Sequence, residues 1–578
     1  MRAIAGAALA LAAIGAGSVR AQAPDREIVA GALGAQLDTI VRRAEALGFG
    51  GQVLVERDGE IALHRAYGLR DWSAGSAYTL DTPTGIASVS KMLAAAAVLR
   101  MVDDGLLALS DTLGTLLPDV PTMHAGITVH QLLTHTSGLP GGYVEAGAAT
   151  SLGDAAAMAL DVRRDTARIG SWRYSSEGFL LLAAVVERRS GIRWHEYLRT
   201  RVLVPASMTH AFSMAGDVRP ANAARSYVGA RDATRLDRRP AVAGAGDVYA
   251  TAGDLLRWSR VVRRRTLLGE DSWRRLETPH APIADGYAAG YGAFLRERGA
   301  TPPAIEHGGD DLAGPAAFVG IFRDPDITLV ITSNARDHLG RWWRRALGDP
   351  LERALFADTA DPPSTPLHAL PAADRRALAG SYPAGEARVH LVDTGGPFLL
   401  VADGQDAIAL VTGDTSVALA NATRRVERMA DSLLAGRDEA AFAELAQPDT
   451  RAAIAQWWAG FAETWGPLQR VHVTGSIRSG ANVATQLVLH HERATQHVRV
   501  VTGSTGTLQQ LDPDRVSPYA LVMPVALEPD GTLRAEDPFT GAFVRFHTVD
   551  GRLRFGGIRD TGTSTGHAGW RPGGGNES

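Results

Sequence analysis

The sequence of 578 residues has no cysteine and, among its 59 basic residues, a single lysine, Lys91; the other 58 are arginines. Without cysteine the chain has no disulfide, no thiolate zinc site and no cysteine nucleophile. A phosphate loop of the G-x-x-x-x-G-K-[ST] type needs a lysine after glycine, whereas Lys91 follows Ser90, and no second lysine exists to serve a kinase. The net charge of −4 argues against a basic surface for nucleic acid.

Lys91 lies in a helix-forming stretch rich in alanine and leucine, for which Gly105 is a plausible stop. Residues three apart on a helix share a face, so Ser88 and Lys91 are predicted neighbours. Arginine stays protonated in proteins, whereas a desolvated lysine can release its proton. The pattern favours a serine activated by an amine, with backbone N–H groups at the helix start available to an oxyanion. A buried helix start with a snorkelling lysine would show the same spacing.

The N-terminal residues are typical of a secretory signal peptide. Met1 and Arg2 precede an apolar run over residues 3–17 that contains no acid and is too short to span a bilayer. Val19 and Ala21 offer a small-x-small cleavage site. We therefore expect residues 1–21 to be removed and the mature protein to be periplasmic or secreted, without a membrane span.

The remaining length predicts more than one domain, and the clearest break is the proline-rich segment 358–366. Before the break, the predicted elements are a hairpin, three helices and a second pair of strands, at residues 51–68, 88–104, 153–163, 177–190, 318–322 and 327–332. Strands at both ends with helices between them favour an α+β architecture for a first domain over residues 24–360.

The part of the chain after the break is predicted to be rich in β-strands. Residues 374–420 look like short strands with glycine-rich turns, 422–466 look helical, and strands resume from about 470 to 557. This order predicts two halves of a lipocalin-like β-barrel that are separated by an inserted α+β domain. The barrel halves would be residues 367–421 and 512–575, and the insert would be residues 422–511.

Five further segments with distinctive residues follow Ser88 and Lys91 along the chain. They are residues 127–140 with a Thr-His-Thr-Ser-Gly run, 172–182, 205–209, 246–255 and 306–309. With the Ser-x-x-Lys segment, they resemble the serine β-lactamase and penicillin-recognising superfamily, specifically its class C β-lactamase-like branch. The resemblance extends from about Gly51 to Asn334. It implies an antiparallel sheet flanked by helices, with a helical subdomain.

The resemblance assigns roles to individual residues. Ser88 would be the acyl-forming nucleophile, Lys91 the amine that takes or relays its proton, and Tyr174 the tyrosine of the Tyr-x-Asn motif. Either Lys91 is the base while neutral, or its charge lowers the pKa of Tyr174 enough for tyrosine to be the base. His307 would be the catalytic-site histidine of the Lys/His-x-Gly motif. The oxyanion hole would be the backbone N–H groups of Ser88 and Asp310.

Two residues depart from the pattern of true β-lactamases. Ser176 stands where the family usually has asparagine, and a hydroxyl lacks the donor and acceptor pair of an amide. His307 replaces the lysine that would meet the carboxylate of a penicillin, and histidine is mostly neutral at pH 7. The His307-Gly308-Gly309 form is more similar to esterases and D-amino-acid peptidases. Ser176, Gly308 and Gly309 remain candidate substrate-binding residues.

Two acids, Asp310 and Asp311, follow the glycines. From their position we expect them to receive a substrate ammonium or guanidinium, with Asp311 as a substrate-binding residue. A solvated loop would also place two acids here.

The sequence as a whole predicts a serine hydrolase that cleaves amide or ester bonds of a small-molecule or peptide substrate. Small or linearised peptides with D- or other unusual residues are favoured, because accessory barrels in D-aminopeptidase-like members restrict access to the cleft. A carboxylesterase is the alternative within the class. The alternatives outside the serine hydrolases are a weakly catalytic penicillin-binding sensor or binding module and, more remotely, a pyridoxal phosphate enzyme that uses Lys91. For the favoured hydrolase we expect neither cofactor nor metal.

Overall fold

The structure, a computed structural model, describes most of the chain between residues 26 and 559. The residues in that span which it does not describe are 141–148, 235–239, 298–301, 338–340, 357–365, 385–386, 438–440, 443–457, 459–464, 480, 504, 513–518, 539, 541 and 550–551. The expected signal peptide and nearly all of the proline-rich break therefore lie outside the described residues. In the described part of the chain, no helix is both long and apolar enough to cross a membrane.

The first domain is built on a nine-stranded antiparallel sheet. The strands are β1 Ile28–Val29, β2 Gly51–Arg57, β3 Glu60–Tyr67, β11 Ala281–Ala284, β12 Tyr287–Ala289, β13 Phe294–Arg296, β14 Ala304–Asp310, β15 Ala316–Arg323 and β16 Asp326–Ser333. Their order across the sheet is β1-β3-β2-β16-β15-β14-β13-β12-β11. The predicted hairpin is confirmed as β2 and β3. Asp58 and Gly59 both have positive φ, as the central residues of a type I′ hairpin turn do.

Helices cover both faces of this sheet and form a separate helical layer. They are α1 Gly31–Ala46, α2 Ser90–Asp103, α3 Leu113–Leu116, α4 Thr122–Ala125, α5 Val129–Leu133, α6 Leu152–Asp161, α7 Ser176–Ser190, α8 Trp194–Leu198, α9 Ala252–Arg264, α10 Glu270–Leu276 and α11 Trp343–Phe356. Alternate strand residues face opposite sides. Val53 and Val55 pack in the core that includes α1 and α11, whereas Leu54 packs in the core that includes α2 and α7.

Three small sheets brace the loops around the main sheet. They are β6 Thr84–Gly85 with β10 Val248–Ala250 and β7 Phe212–Ser213; β17 Ala335–Arg336 with β8 Tyr227–Val228 and β9 Arg231–Asp232; and β4 Leu69–Asp71 with β5 Ser76–Ala77. The first of these sheets matters for the site, because β6 leads directly into the segment that carries Ser88.

The C-terminal part contains a seven-stranded antiparallel sheet and a four-stranded one, which confirms a β-rich region with an α+β insert. The larger sheet comprises β18 Gly380–Ala384, β19 Ala387–Asp393, β20 Phe398–Asp403, β25 Leu521–Leu527, β26 Leu533–Glu536, β27 Phe543–Val549 and β28 Arg552–Arg559. The smaller comprises β21 Leu468–Ser479, β22 Asn482–His491, β23 Thr495–Thr502 and β24 Leu508–Asp512. The helices are α12 Ala372–Leu378, α13 Gln405–Thr412 and α14 Val417–Leu434. The limits of the domains and the barrel itself stay predictions.

The prediction of strands throughout residues 374–420 is wrong at both ends. Its first residues form the end of α12, and its last third forms α13 and the start of α14. Ala407, Ile408 and Val411 have the spacing of one helical face and are buried in the core of the larger sheet. The predicted helix after residue 422 is confirmed as far as Leu434, and much of its remainder lies outside the described residues.

The first domain and the C-terminal part share a contact surface with ion pairs and close packing. Arg43 of α1 pairs with Glu536, and Arg341 pairs with Asp537 at 2.9 Å. Trp72 packs so closely against Gly396 that a Cβ on this glycine would lie 2.5 Å from the indole ring. The C-terminal part is thus fixed to the side of the first domain that carries α1 and residue 341.

Candidate active site

Ser88 lies in a short turn that directly precedes helix α2. The turn spans Ala87–Val89, and α2 begins at Ser90, so the serine stands just before the α-helix rather than within its first turn. Ile86 N donates to Val248 O at 2.9 Å, which ties the turn to strand β10. Ser88 is 6% exposed and lies at the positive end of α2, where backbone N–H groups have no partner within the helix.

The Lys91 side chain is fully buried and surrounded by three oxygen atoms. Its Nζ lies 3.0 Å from Ser88 Oγ, as the three-residue spacing predicts. It lies 3.3 Å from Ser176 Oγ and 2.8 Å from the carbonyl oxygen of Ala245. A carbonyl only accepts, whereas a serine hydroxyl both donates and accepts. The same arrangement therefore suits a protonated lysine and a neutral one that accepts the Ser88 hydroxyl proton.

The surroundings of Lys91 act on its pKa in opposite directions, so that both the protonated and the neutral amine are populated near neutral pH. Burial lowers the pKa of Lys91 to about 7, and the negative charges of Glu177 and Asp247 oppose this shift. Both acids are buried, and Ser175 Oγ donates to Glu177 Oε2 at 3.0 Å. An arginine at position 91 would stay charged under the same conditions.

Tyr174 lies beside Lys91 because His135 binds the backbone on both sides of the tyrosine. Ser175 N donates to His135 Nδ1 at 3.1 Å, and Arg173 N donates to the His135 carbonyl at 2.8 Å, so both neighbours of Tyr174 are tied to one residue. The Tyr174 and His135 rings are 4.6 Å apart, and Lys91 Nζ lies 4.9 Å from the centre of the tyrosine ring. These contacts give His135 a structural role.

His307 enters the site from strand β14 as a neutral ring. Its Nδ1 lies 2.7 Å from the Gly308 carbonyl, and because that oxygen only accepts, Nδ1 carries the proton. The buried Nε2 then offers a lone pair, and it has no hydrogen-bond partner among the described residues. Burial first, and then the charge of Lys91, lower the pKa of His307 to about 3. The ring of Phe294 lies 4.7 Å away.

Strand β14 runs directly against the amide nitrogen of the serine. A Cβ on Gly309 would lie 2.8 Å from Ser88 N and 2.2 Å from the Ile86 carbonyl oxygen, so only glycine fits there. This approach places the end of β14, with Asp310, next to the Ser88 N–H, as an oxyanion hole from these two residues requires. Gly308 is covered instead by the Arg344 guanidinium, whose carbon would lie 2.9 Å from an added Cβ.

The acids after the glycines have partners within the chain. Asp310 accepts hydrogen bonds from Arg344 and, at 3.2 Å, from Arg345, both on helix α11. We therefore correct the expectation that Asp310 receives a substrate cation, because two guanidinium groups already occupy its carboxylate. Asp311 Oδ1 accepts from Ala313 N at 2.7 Å, which shapes the turn between β14 and β15.

The fold thus brings together the predicted residues Ser88, Lys91, Tyr174, Ser176 and His307 with Gly309. Sequence reasoning missed the Ala245 carbonyl, the acids Glu177 and Asp247, and the Phe294 ring. Asp247 lies inside a segment that the resemblance includes, but nothing in its spacing links it to a lysine 156 positions earlier in the chain. Ser176, predicted to contact substrate, directs its hydroxyl at Lys91.

Several known proteins are similar to this chain in sequence. A family model described as Beta-lactamase matches residues 38–348, which is more than half of the chain. PbpX of Bacillus subtilis (strain 168), named for penicillin binding, is 29% identical over 236 residues, 40% of this chain and 60% of PbpX.

Two further relatives have names that state an activity. Esterase EstB of Burkholderia gladioli is 37% identical over 186 residues, 28% of this chain and 47% of EstB. D-aminopeptidase of Brucella ovis is 30% identical over 337 residues, 54% of this chain and 62% of that enzyme. The chain therefore spans about half to three fifths of the length of these three relatives.

Proposed function

Because the chain belongs to the β-lactamase family, we propose that it is a serine hydrolase that forms an acyl-enzyme on Ser88. The observation that carries the proposal is the contact of 3.0 Å between Ser88 Oγ and the buried Lys91 Nζ. A serine hydroxyl is a weak nucleophile until a base takes its proton. With a pKa of about 7, Lys91 supplies a neutral amine to a large share of the molecules at neutral pH.

In the proposed acylation, Ser88 Oγ bonds to the carbonyl carbon of the substrate as its proton passes to Lys91 Nζ. The tetrahedral oxyanion receives hydrogen bonds from the backbone N–H groups of Ser88 and Asp310. The bond to the leaving nitrogen or oxygen then breaks, and the leaving group takes the proton. Water repeats the sequence on the acyl-enzyme, which releases the acid product and restores the Ser88 hydroxyl.

We assign the base to Lys91 and the relay of protons towards the leaving group to Tyr174. Lys91 Nζ is within hydrogen-bonding distance of Ser88 Oγ, which a general base needs. The Tyr174 ring lies beside the amine, and Tyr174 is itself only half-buried. Ser176 shares the amine with Ser88, so its hydroxyl orients Lys91 as well as bordering the substrate.

We propose amide or ester substrates other than the β-lactam antibiotics. His307 is neutral because its pKa is about 3, so it provides no positive charge for a penicillin carboxylate. Its buried Nε2 lone pair instead suits a neutral hydrogen-bond donor. Small or linearised peptides with D- or other unusual residues are the favoured substrates, and the name of the Brucella ovis relative supports the peptidase class.

Two alternatives each rest on one relative. The identity to EstB supports a carboxylesterase, and the name of PbpX supports a weakly catalytic penicillin-binding protein. A parallel screen of p-nitrophenyl esters, D- and L-aminoacyl nitroanilides and a fluorescent penicillin separates the three. We expect turnover of an ester or nitroanilide that Ser88→Ala abolishes. Stable penicillin labelling without turnover of any of the other substrates would favour the penicillin-binding alternative.

A further inference from the structure

A buried acid lies behind Lys91 and takes no part in the proposed acylation. Asp247 is 1% exposed, and its carboxylate accepts three hydrogen bonds from side-chain and backbone donors. Gly244 N donates to Oδ1 at 2.8 Å, Trp194 Nε1 donates to Oδ2 at 2.9 Å, and Ser213 Oγ donates to Oδ2. Because the Gly244 bond closes a short ring, the carboxylate fixes the shape of the 244–248 loop.

The same loop holds the catalytic segment at two places. The Ala245 carbonyl accepts from Lys91 Nζ at 2.8 Å. Val248 N donates to Ser90 Oγ at 3.1 Å, and the Val248 carbonyl accepts from Ile86 N at 2.9 Å. A change in the shape of this loop would therefore move the carbonyl at Lys91 and the turn that carries the nucleophile.

We infer that Asp247 is a positioning residue for Lys91, which holds the Ala245 carbonyl on the amine and supplies a buried negative charge that favours its protonated form. The inference rests on the proposed function, in which Lys91 must alternate between two protonation states. Without a nearby anion the buried amine would be a weaker base and would have less driving force to take the Ser88 proton. The carboxylate thus keeps the amine basic enough to act.

The charges that face Lys91 come from few groups. Glu177 at the start of α7 and Asp247 are the two acids that raise the pKa of Lys91 against burial. His135 and His307, from the α5 loop and from β14, are kept neutral, because burial and the lysine charge lower their pKa values. Burial also raises the pKa of Asp247, while the hydrogen bonds from Ser213, Trp194 and Gly244 oppose that rise.

The lone lysine permits a direct test, because protein labelled with [¹³Cε]lysine gives the signal of Lys91 alone. We expect this signal to titrate near pH 7 in the full-length wild-type chain. In Asp247→Asn we expect the midpoint to fall by about half a pH unit or more, since the loss of a nearby negative charge disfavours the ammonium form. Glu177→Gln should shift the midpoint in the same direction.

Asp254→Asn is the matched control. Asp254 is an equally buried carboxylate that caps α9, and it is not among the groups that shift the pKa of Lys91. Its variant should keep the wild-type midpoint. If near-ultraviolet circular dichroism shows that Asp247→Asn is unfolded, Ser213→Ala is used instead. Loss of the Ser213 donor makes the charged form of the Asp247 carboxyl group less favourable, so the Lys91 midpoint should fall by a smaller amount.

A wild-type midpoint in the folded Asp247→Asn protein would overturn the inference, and so would a wild-type midpoint in Ser213→Ala if that variant must be used. The rate at which a fluorophosphonate labels Ser88 is measured on the same samples. Failure of the wild type to label would count against the serine hydrolase, whatever the lysine signal shows. Labelling with an unmoved lysine midpoint would count against the role of Asp247 alone.

Discussion

Gly309 passes so close to Ser88 that a single methyl group on the glycine would lie 2.8 Å from the serine amide nitrogen. The strand that carries His307 is thereby held against the nucleophile, and one of the two proposed oxyanion donors is brought next to the other.

Gly309→Ala should therefore remove the oxyanion hole while leaving Ser88 and Lys91 in place. The added Cβ would also meet the Ile86 carbonyl at 2.2 Å, and because both contacts are to backbone atoms, the strand has to move away. We expect kcat to fall by about 10²–10³-fold, the usual cost of losing an oxyanion donor. The measurement is steady-state hydrolysis of the best ester or nitroanilide.

The control is Gly348→Ala in α11, where an added Cβ would meet nothing within 4 Å. This variant should keep wild-type kcat and gain up to about 1 kcal/mol in unfolding free energy, because alanine favours a helix interior over glycine. Equal activity of the two alanine variants would contradict the placement of the oxyanion hole.

Lys91→Arg should keep the positive charge and lose proton transfer. Arginine does not release its proton usefully in proteins, and removal of an acid–base group costs about 10²-fold or more. We expect kcat/KM to fall by at least that factor. The control is Arg100→Lys, which makes the reverse substitution on the same helix but outside the site, and it should leave kcat/KM unchanged. Near-normal turnover by Lys91→Arg would mean that the residue acts only as a fixed charge.

The pH dependence of hydrolysis follows from the same amine. Burial lowers the pKa of Lys91 to about 7, so the neutral base is lost as the pH falls below that value. We expect kcat/KM to rise with pH through a midpoint near 7 and then to level off. His307 should add no second step between pH 5 and 9, because its pKa is about 3. A profile that rises only near pH 10 would indicate an ordinary, solvated lysine.

Substrate charge selectivity tests the pairing of Asp310 with helix α11. Because Arg344 and Arg345 occupy the carboxylate, Asp310→Asn should leave the kcat/KM ratio of cationic to neutral substrates within about twofold. Conversion of both arginines to glutamine should free the carboxylate and raise the ratio by about fivefold, which corresponds to roughly 1 kcal/mol for one partly exposed charge pair. A large loss of cation preference in Asp310→Asn would restore the original expectation for this acid.

The sequence predicts those parts of the structure that depend on residues close to one another along the chain. Ser88 and Lys91 lie three residues apart in a helix-forming run, so helical geometry alone makes them neighbours. His307, Gly308 and Gly309 are adjacent on one strand, and the resemblance supplies their role. The hairpin at Asp58-Gly59 follows from turn chemistry.

The parts that the sequence does not predict depend on contacts between distant segments. Ala245 meets Lys91 across 154 positions of the chain, and its contribution is a backbone carbonyl that any residue type would supply. Asp310 contacts Arg344 because α11 packs against the sheet. The chain has 58 arginines, so the sequence does not indicate which of them pairs with this acid. Helix α13 is not predicted because residues 407–411 form one short, continuous apolar run, and such a run is typical of a buried strand as well as of a buried helix.

The most direct measurement is mass spectrometry of the protein after incubation with a fluorophosphonate at pH 8. The proposed function predicts one adduct, on the peptide that contains Ser88, and no adduct in Ser88→Ala. Lys91→Arg should react at least about 10²-fold more slowly. A folded wild-type protein that stays unlabelled, or that is labelled on another serine, would contradict the assignment of Ser88 as an activated nucleophile.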